Sequence, residues 1–160
     1  MAADSQAVAV VVAVAVAGSL DFAGVAVAAM AILLGWGVAN VGIGLFRRKL
    51  TNQVRRYFWQ MNLAWGLVDA ALAAVTLRAL ATDYMRFATD RAFQVNQIKV
   101  IGLNIFLDVL YVLGGLALLK VNVQKRSARR QGYGRSIVVQ GGFLLVFDLI
   151  LFGLLRAASG

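Results

Sequence analysis

The chain contains no cysteine, no histidine and no proline in 160 residues. Without cysteine there are no disulfides, thiolate nucleophiles, iron–sulfur ligands or cysteine zinc sites, and without histidine the usual general base and the histidine haem ligand are missing. Most catalytic constellations are thereby excluded, so the chain is expected to be no enzyme, to need no cofactor and to hold no metal. The lack of proline argues against broken or kinked helices of the transporter type. Acidic residues are also scarce, with seven Asp and Glu against sixteen Lys and Arg and a net charge of +9.

Apolar residues fill the space. The chain is 61% hydrophobic, with a mean hydropathy of +0.79, whereas soluble domains use roughly 45–50% apolar residues. This composition reads as an integral membrane protein. The positive charge does not point to nucleic acid, because it is concentrated in two short segments between apolar runs, Arg47 to Arg56 and Lys120 to Arg135, neither of which contains an acid. Such segments read as topology signals.

Four apolar runs predict spans at about 22–46, 57–77, 100–119 and 137–155. The last, Ile137 to Leu155, is interrupted only by Gln140, three glycines and Asp148, and as a helix it covers about 28 Å, close to the roughly 30 Å hydrocarbon thickness. The expected fold is all-α, an integral membrane four-helix bundle (22–160) with an additional short N-terminal helical segment (1–21). Ala7 to Gly18 is too short to span alone, and residues 5–18 read as a short helix lying at or dipping into the interface, with a fifth, imperfect span as the competing reading. The first residues carry no Lys or Arg, so a cleaved signal peptide is not expected. Residues 78–99 read as the longest connection, with a short amphipathic helix outside the membrane. By the positive-inside rule the two basic segments are cytoplasmic, with both termini and the 78–99 connection outside.

Depth counted from the basic flanks orders the polar residues. Asp69 lies 13 residues beyond Arg56, Asp108 lies 12 before Lys120, and Asp148 lies 13 beyond Arg135, so all three sit about 18–20 Å deep, near the midplane. Asn40, Asn62 and Gln140 form a second layer about 8–10 Å deep. Asn62, Trp65 and Asp69 share one helical stripe, and Asn104, Asp108 and Tyr111 share another. Gln140 and Asp148 fit less neatly, being eight residues apart and about 80° out of phase. Gly35, Ala39, Gly42, Gly44, Gly66, Gly114, Gly115, Gly141 and Gly142 are the small residues expected to let helices approach. The second span has few strongly apolar residues for one that contains Asp69, and needs neighbours to insert. MNLAWGLVDAALA (61–73) aligns with QGGFLLVFDLILF (140–152), Asp69 on Asp148, as a weak parallel repeat.

The acid layer of Asp69, Asp108 and Asp148, with Asn104 and Tyr111, admits two readings. In one it is glue, its carboxyls protonated and hydrogen-bonded to Asn104, Tyr111 or one another; in the other it is a proton, cation or ligand site, the usual meaning of acids inside a membrane. Arg47, Arg48, Arg126, Arg129 and Arg130 are candidates for lipid headgroups. Gly132-Tyr133-Gly134 lacks the flanks of a potassium filter and reads as part of an arginine-rich loop. Trp36, Trp59 and Trp65 read as packing or belt residues.

The blocks GWGVANVGIG (35–44), FWQMNLAWGLVD (58–69), LNIFLDVLYVLGG (103–115) and GYGRSIVVQGGFLLVFD (132–148) resemble a small, uncharacterised family of bacterial four-helix membrane proteins. The resemblance implies the fold and no established activity. The leading functional expectation is a non-enzymatic membrane component that associates with itself or with other membrane subunits, held together by its midplane polar layer. The alternative is a small proton- or cation-coupled transporter or channel using the three aspartates.

Overall fold

The computed structural model describes residues 21–47, 49, 52–120 and 127–160. Among the described residues five helices follow one another: α1 Phe22–Arg47, α2 Gln53–Thr82, α3 Tyr84–Thr89, α4 Arg91–Lys120 and α5 Ala128–Ala158. The fold is all-α, as the composition predicts, and four of the helices are long and apolar enough to cross a membrane. The interfacial helix expected over residues 5–18 lies outside the described residues, as do Arg48 and Arg126.

The four long helices have 26 to 31 residues each, about 39–47 Å, so they outrun the hydrocarbon at both ends. The apolar runs mark only their middles. Side-chain caps set the true starts: Asn52 Oδ1 accepts from Arg55 N at 3.1 Å, Asp90 Oδ1 from Phe93 N at 3.0 Å and Ser127 Oγ from Arg130 N at 3.3 Å. The arginine-rich stretch around Gly132 is therefore the first turns of α5 rather than a loop, because Arg and Gln are good helix formers and long cations reach outward from a helix end. The 78–99 connection likewise shrinks to the six-residue α3, its flanks being taken up by α2 and α4.

The chain packs as two antiparallel hairpins. The closest packing is α1 on α2 and α4 on α5; α2 on α5 joins the hairpins, α1 touches α5 lightly, and α2 and α4 lack extensive packing. At the α3 end, Phe22, Val25, Leu80, Phe87, Leu151 and Leu155 form an apolar core. Gln94 pins α3 there, its Nε2 donating to Phe87 O at 2.8 Å and Ala88 O at 3.0 Å. Tyr84 donates from its hydroxyl to the Asp21 carboxylate at 3.2 Å, and Asp21 caps the start of α1 by accepting from Gly24 N at 2.7 Å.

Small residues set the helix spacing, but not all of those expected. A Cβ on Gly66 would lie 2.6 Å from Gly37 O and 2.7 Å from Asn40 Cβ, and one on Gly37 would lie 2.6 Å from Ala70 N. Gly44, Gly115 and Gly141 also face a neighbouring helix. Gly35, Gly42, Gly114 and Gly142 have nothing within 4 Å of a built Cβ, whereas Gly37, Gly132 and Gly134 make unforeseen close approaches. Sequence spacing does not tell which side of a nearly uniform apolar helix faces its partner. Gly37→Val is expected to force α1 and α2 apart and to destabilise the bundle by about 2–3 kcal/mol. Gly35→Val should stay within about 0.5 kcal/mol of the parent; unfolding titrations in mixed micelles measure both.

Candidate functional site

The predicted amide layer forms as one hydrogen-bonded node. Gln140 is 1% exposed and Asn62 1%. Gln140 Nε2 donates to Asn40 Oδ1 at 2.9 Å and also to Asn62 Oδ1. Its Oε1 accepts from Trp36 Nε1 at 2.8 Å. The two asparagines turn their own NH2 groups back onto their helices, Asn40 Nδ2 to Trp36 O at 2.9 Å and Asn62 Nδ2 to Phe58 O at 2.8 Å. Every donor of the glutamine amide is used, and α1, α2 and α5 are tied at one level.

Trp36 is the member that sequence reasoning missed. Its ring stacks on Phe143 with centroids 3.9 Å apart and an interplanar angle of 11°, which aims the indole N–H at Gln140. In a run of apolar residues an indole reads as packing, and only its position one turn before Asn40 marks it as a neighbour of the amides.

The acid layer converges as well. Asp69, Asp108 and Asp148 are 2%, 5% and 7% exposed, and all three line one cavity of about 370 Å³ between the helices. On that lining Asp108 of α4 is the neighbour of Asp148 on α5 and of Asp69 on α2. Asn104, Tyr111, Trp65, Thr76 and Gln97 make up the rest of its polar lining. The Trp65 ring meets Tyr111 edge-on at 5.1 Å, one of the few contacts between α2 and α4.

Satisfaction separates the two layers. Asp69 Oδ2, Asp108 Oδ2 and Trp65 Nε1 are buried without a hydrogen-bond partner among the described residues, although Asn104 and Tyr111 line the same space. The other two such atoms, Arg56 Nε and Ser136 Oγ, belong to the basic end of the bundle. Buried oxygens without partners are costly, so this layer is an incomplete network beside an open volume. No group of three acidic side chains among the described residues is arranged to hold a metal ion.

At the basic end Arg47, Arg129 and Arg130 are exposed. The Arg129 guanidinium lies 5.2 Å from the Tyr133 ring centre, and Tyr133 meets Tyr57 edge-on at 5.7 Å. This surface has cations and aromatic rings at one level, as an interfacial belt has.

Four long apolar helices around buried polar layers define a multi-pass membrane protein. Residues 32–149 match the model of a family of unknown function, DUF6992, and the chain belongs to that family. Among curated proteins and among solved structures nothing matches it.

Gln140→Leu would leave Trp36 Nε1, Asn40 Oδ1 and Asn62 Oδ1 without partners. Three interhelical hydrogen bonds at about 0.6–1.7 kcal/mol each predict a loss of roughly 2–5 kcal/mol. Asn40→Leu removes one of them and should cost about 1 kcal/mol. Equal losses from the two variants, measured by the same unfolding titration, would contradict a node centred on Gln140.

Proposed function

We propose that the protein is a non-enzymatic carrier or channel of the bacterial inner membrane, its basic segments cytoplasmic, that takes a proton or positively charged solute into the cavity bounded by Asp69, Asp108 and Asp148. One observation carries the reading: the amide layer is saturated while two buried carboxyl oxygens beside the cavity have no partner. Glue is a sufficient account of the first layer and a poor account of the second. An acid cluster with no Lys or Arg on the cavity wall attracts positive charge, and acids at the centre of membrane helices mark ion pathways. Asp108 is the central member, being the neighbour of both other acids.

The reading as a self-associating or accessory subunit keeps a distinct support. Gly35, Gly42, Gly114 and Gly142 present backbone with nothing packed on it, and α4 is the least buried of the four long helices. Those faces fit a second helix as well as lipid. The Arg47, Arg129 and Arg130 surface suits anionic headgroups in either case.

In proteoliposomes the parent protein should carry a proton or monovalent-cation current. Asp69→Asn, Asp108→Asn and Asp148→Asn should each lower it about tenfold or more, the equivalent of one charge-assisted hydrogen bond. Unchanged current in all three variants would eliminate the cation site, and cross-linking to a dominant oligomer in the same membranes would then favour the subunit reading.

A further inference from the structure

A dehydrated metal ion would occupy a small part of a cavity of about 370 Å³, which has the volume of small-molecule pockets. The acids, from α2, α4 and α5, are three of its lining residues. Phe22, Met30, Leu33, Leu144, Phe147 and Leu151 form much of the rest, a wall that offers nothing to a hydrated ion and much to a hydrocarbon or aryl group. The edge-on pair Trp65 and Tyr111 also lines it and adds aromatic rings, which attract cations.

The mouth has the same character. Where α2 and α4 fail to pack, the cavity is bordered by Val68, Leu72, Val100 and Leu107, which are 48%, 58%, 43% and 42% exposed. Val68 and Leu107 lie near the midpoints of their helices, so this rim stands at the depth of the hydrocarbon. A solute that uses it arrives from the bilayer and must be lipid-soluble along most of its surface.

We infer that the occupant is a hydrophobic primary amine held as its ammonium, an inference that rests on reading the cavity as a cation site. An ammonium group carries three donors, and Asp69 Oδ2 and Asp108 Oδ2 are two buried acceptors that lack a donor. Its apolar body lies along Phe22, Leu33 and Phe147, and its charge is matched by carboxylate. A quaternary ammonium has the charge without the donors and leaves both oxygens unpartnered. An alcohol of the same shape has a donor without the charge.

Calorimetric titration of the full chain in lipid nanodiscs tests this with 2-phenylethylamine, its N-trimethyl derivative, 2-phenylethanol, methylammonium and potassium as probes. 2-Phenylethylamine is expected to bind at least about tenfold more tightly than methylammonium, because only it buries an aryl group. It should also bind about tenfold more tightly than either the trimethyl derivative or the alcohol. Asp108→Asn is expected to weaken it about tenfold. Val68→Trp narrows the mouth at an exposed position without touching an acid, so it should abolish binding while leaving the melting temperature unchanged, which covers the case of an Asn variant that fails to fold. Equal binding of potassium, methylammonium and the amine would overturn the amine and leave the cation site standing. Equal binding of the alcohol and the amine, or no binding by any probe, would overturn both.

Discussion

A polar side chain inside a membrane bundle has no water to turn to, so its partners must come from the protein itself. Gln140 meets that constraint completely: its oxygen accepts from Trp36 and its nitrogen donates to Asn40 and Asn62. The rest of the bundle is arranged so that this can happen. Gly66 has no side chain where Asn40 needs room, since a Cβ there would stand 2.7 Å from Asn40 Cβ. Gly37 permits the same approach from α1. The amide node therefore requires the glycine contact between α1 and α2, and it binds that hairpin to α5 of the other. The hairpins are joined through α5, the helix that carries Gln140.

The same helix explains why the second polar layer is different. Gln140 and Asp148 are eight positions apart, about 80° around the helix, so they point to different neighbours. Gln140 faces α1 and α2. Asp148 faces α4, where it meets Asp108. Helix α4 is thus held mainly through α5 and stands apart from α2, and residues on both sides of that gap line the cavity. The angular mismatch that looked like poor fit in the sequence is the feature that separates a closed network from an open one.

Much of this was legible before the structure. Counting residues from the basic flanks placed Asn40, Asn62 and Gln140 at one level because helical rise is constant, and residues at one level on adjoining helices can meet. The stripe through Asn62 and Asp69 was visible for the same reason, and Gly66 and Ala73 continue it as buried positions. Rotation about the helix axis was not legible. Where most positions are apolar, hydrophobic periodicity vanishes, and Gly35 cannot be told from Gly37 although only the second touches α2. Helix ends were misplaced because hydropathy reports the membrane rather than the helix, which runs on through polar residues until a cap such as Asn52 or Ser127 stops it. The role of Gln94 was hidden for another reason. Its partners are backbone carbonyls of α3, and no side-chain pattern announces them.

The repeat between 61–73 and 140–152 sharpens the contrast between the layers. In that alignment Asp69 falls on Asp148, and both reach the cavity. Asn62, however, falls on Gly141 rather than on Gln140. One position is about 100° of helix rotation, so the two hairpins share an acid but not an amide register. That offset suits a node in which Asn62 and Gln140 must point at each other instead of occupying equivalent places. The symmetry also fails at the third acid. Helix α4 contributes Asp108, whereas α1, its counterpart in the first hairpin, offers the cavity Phe22, Ala26, Met30 and Leu33. Because α1 is apolar there, the acids of α2, α4 and α5 share the cavity with hydrocarbon from α1 and α5, and the volume they bound has the polarity of an amphiphile.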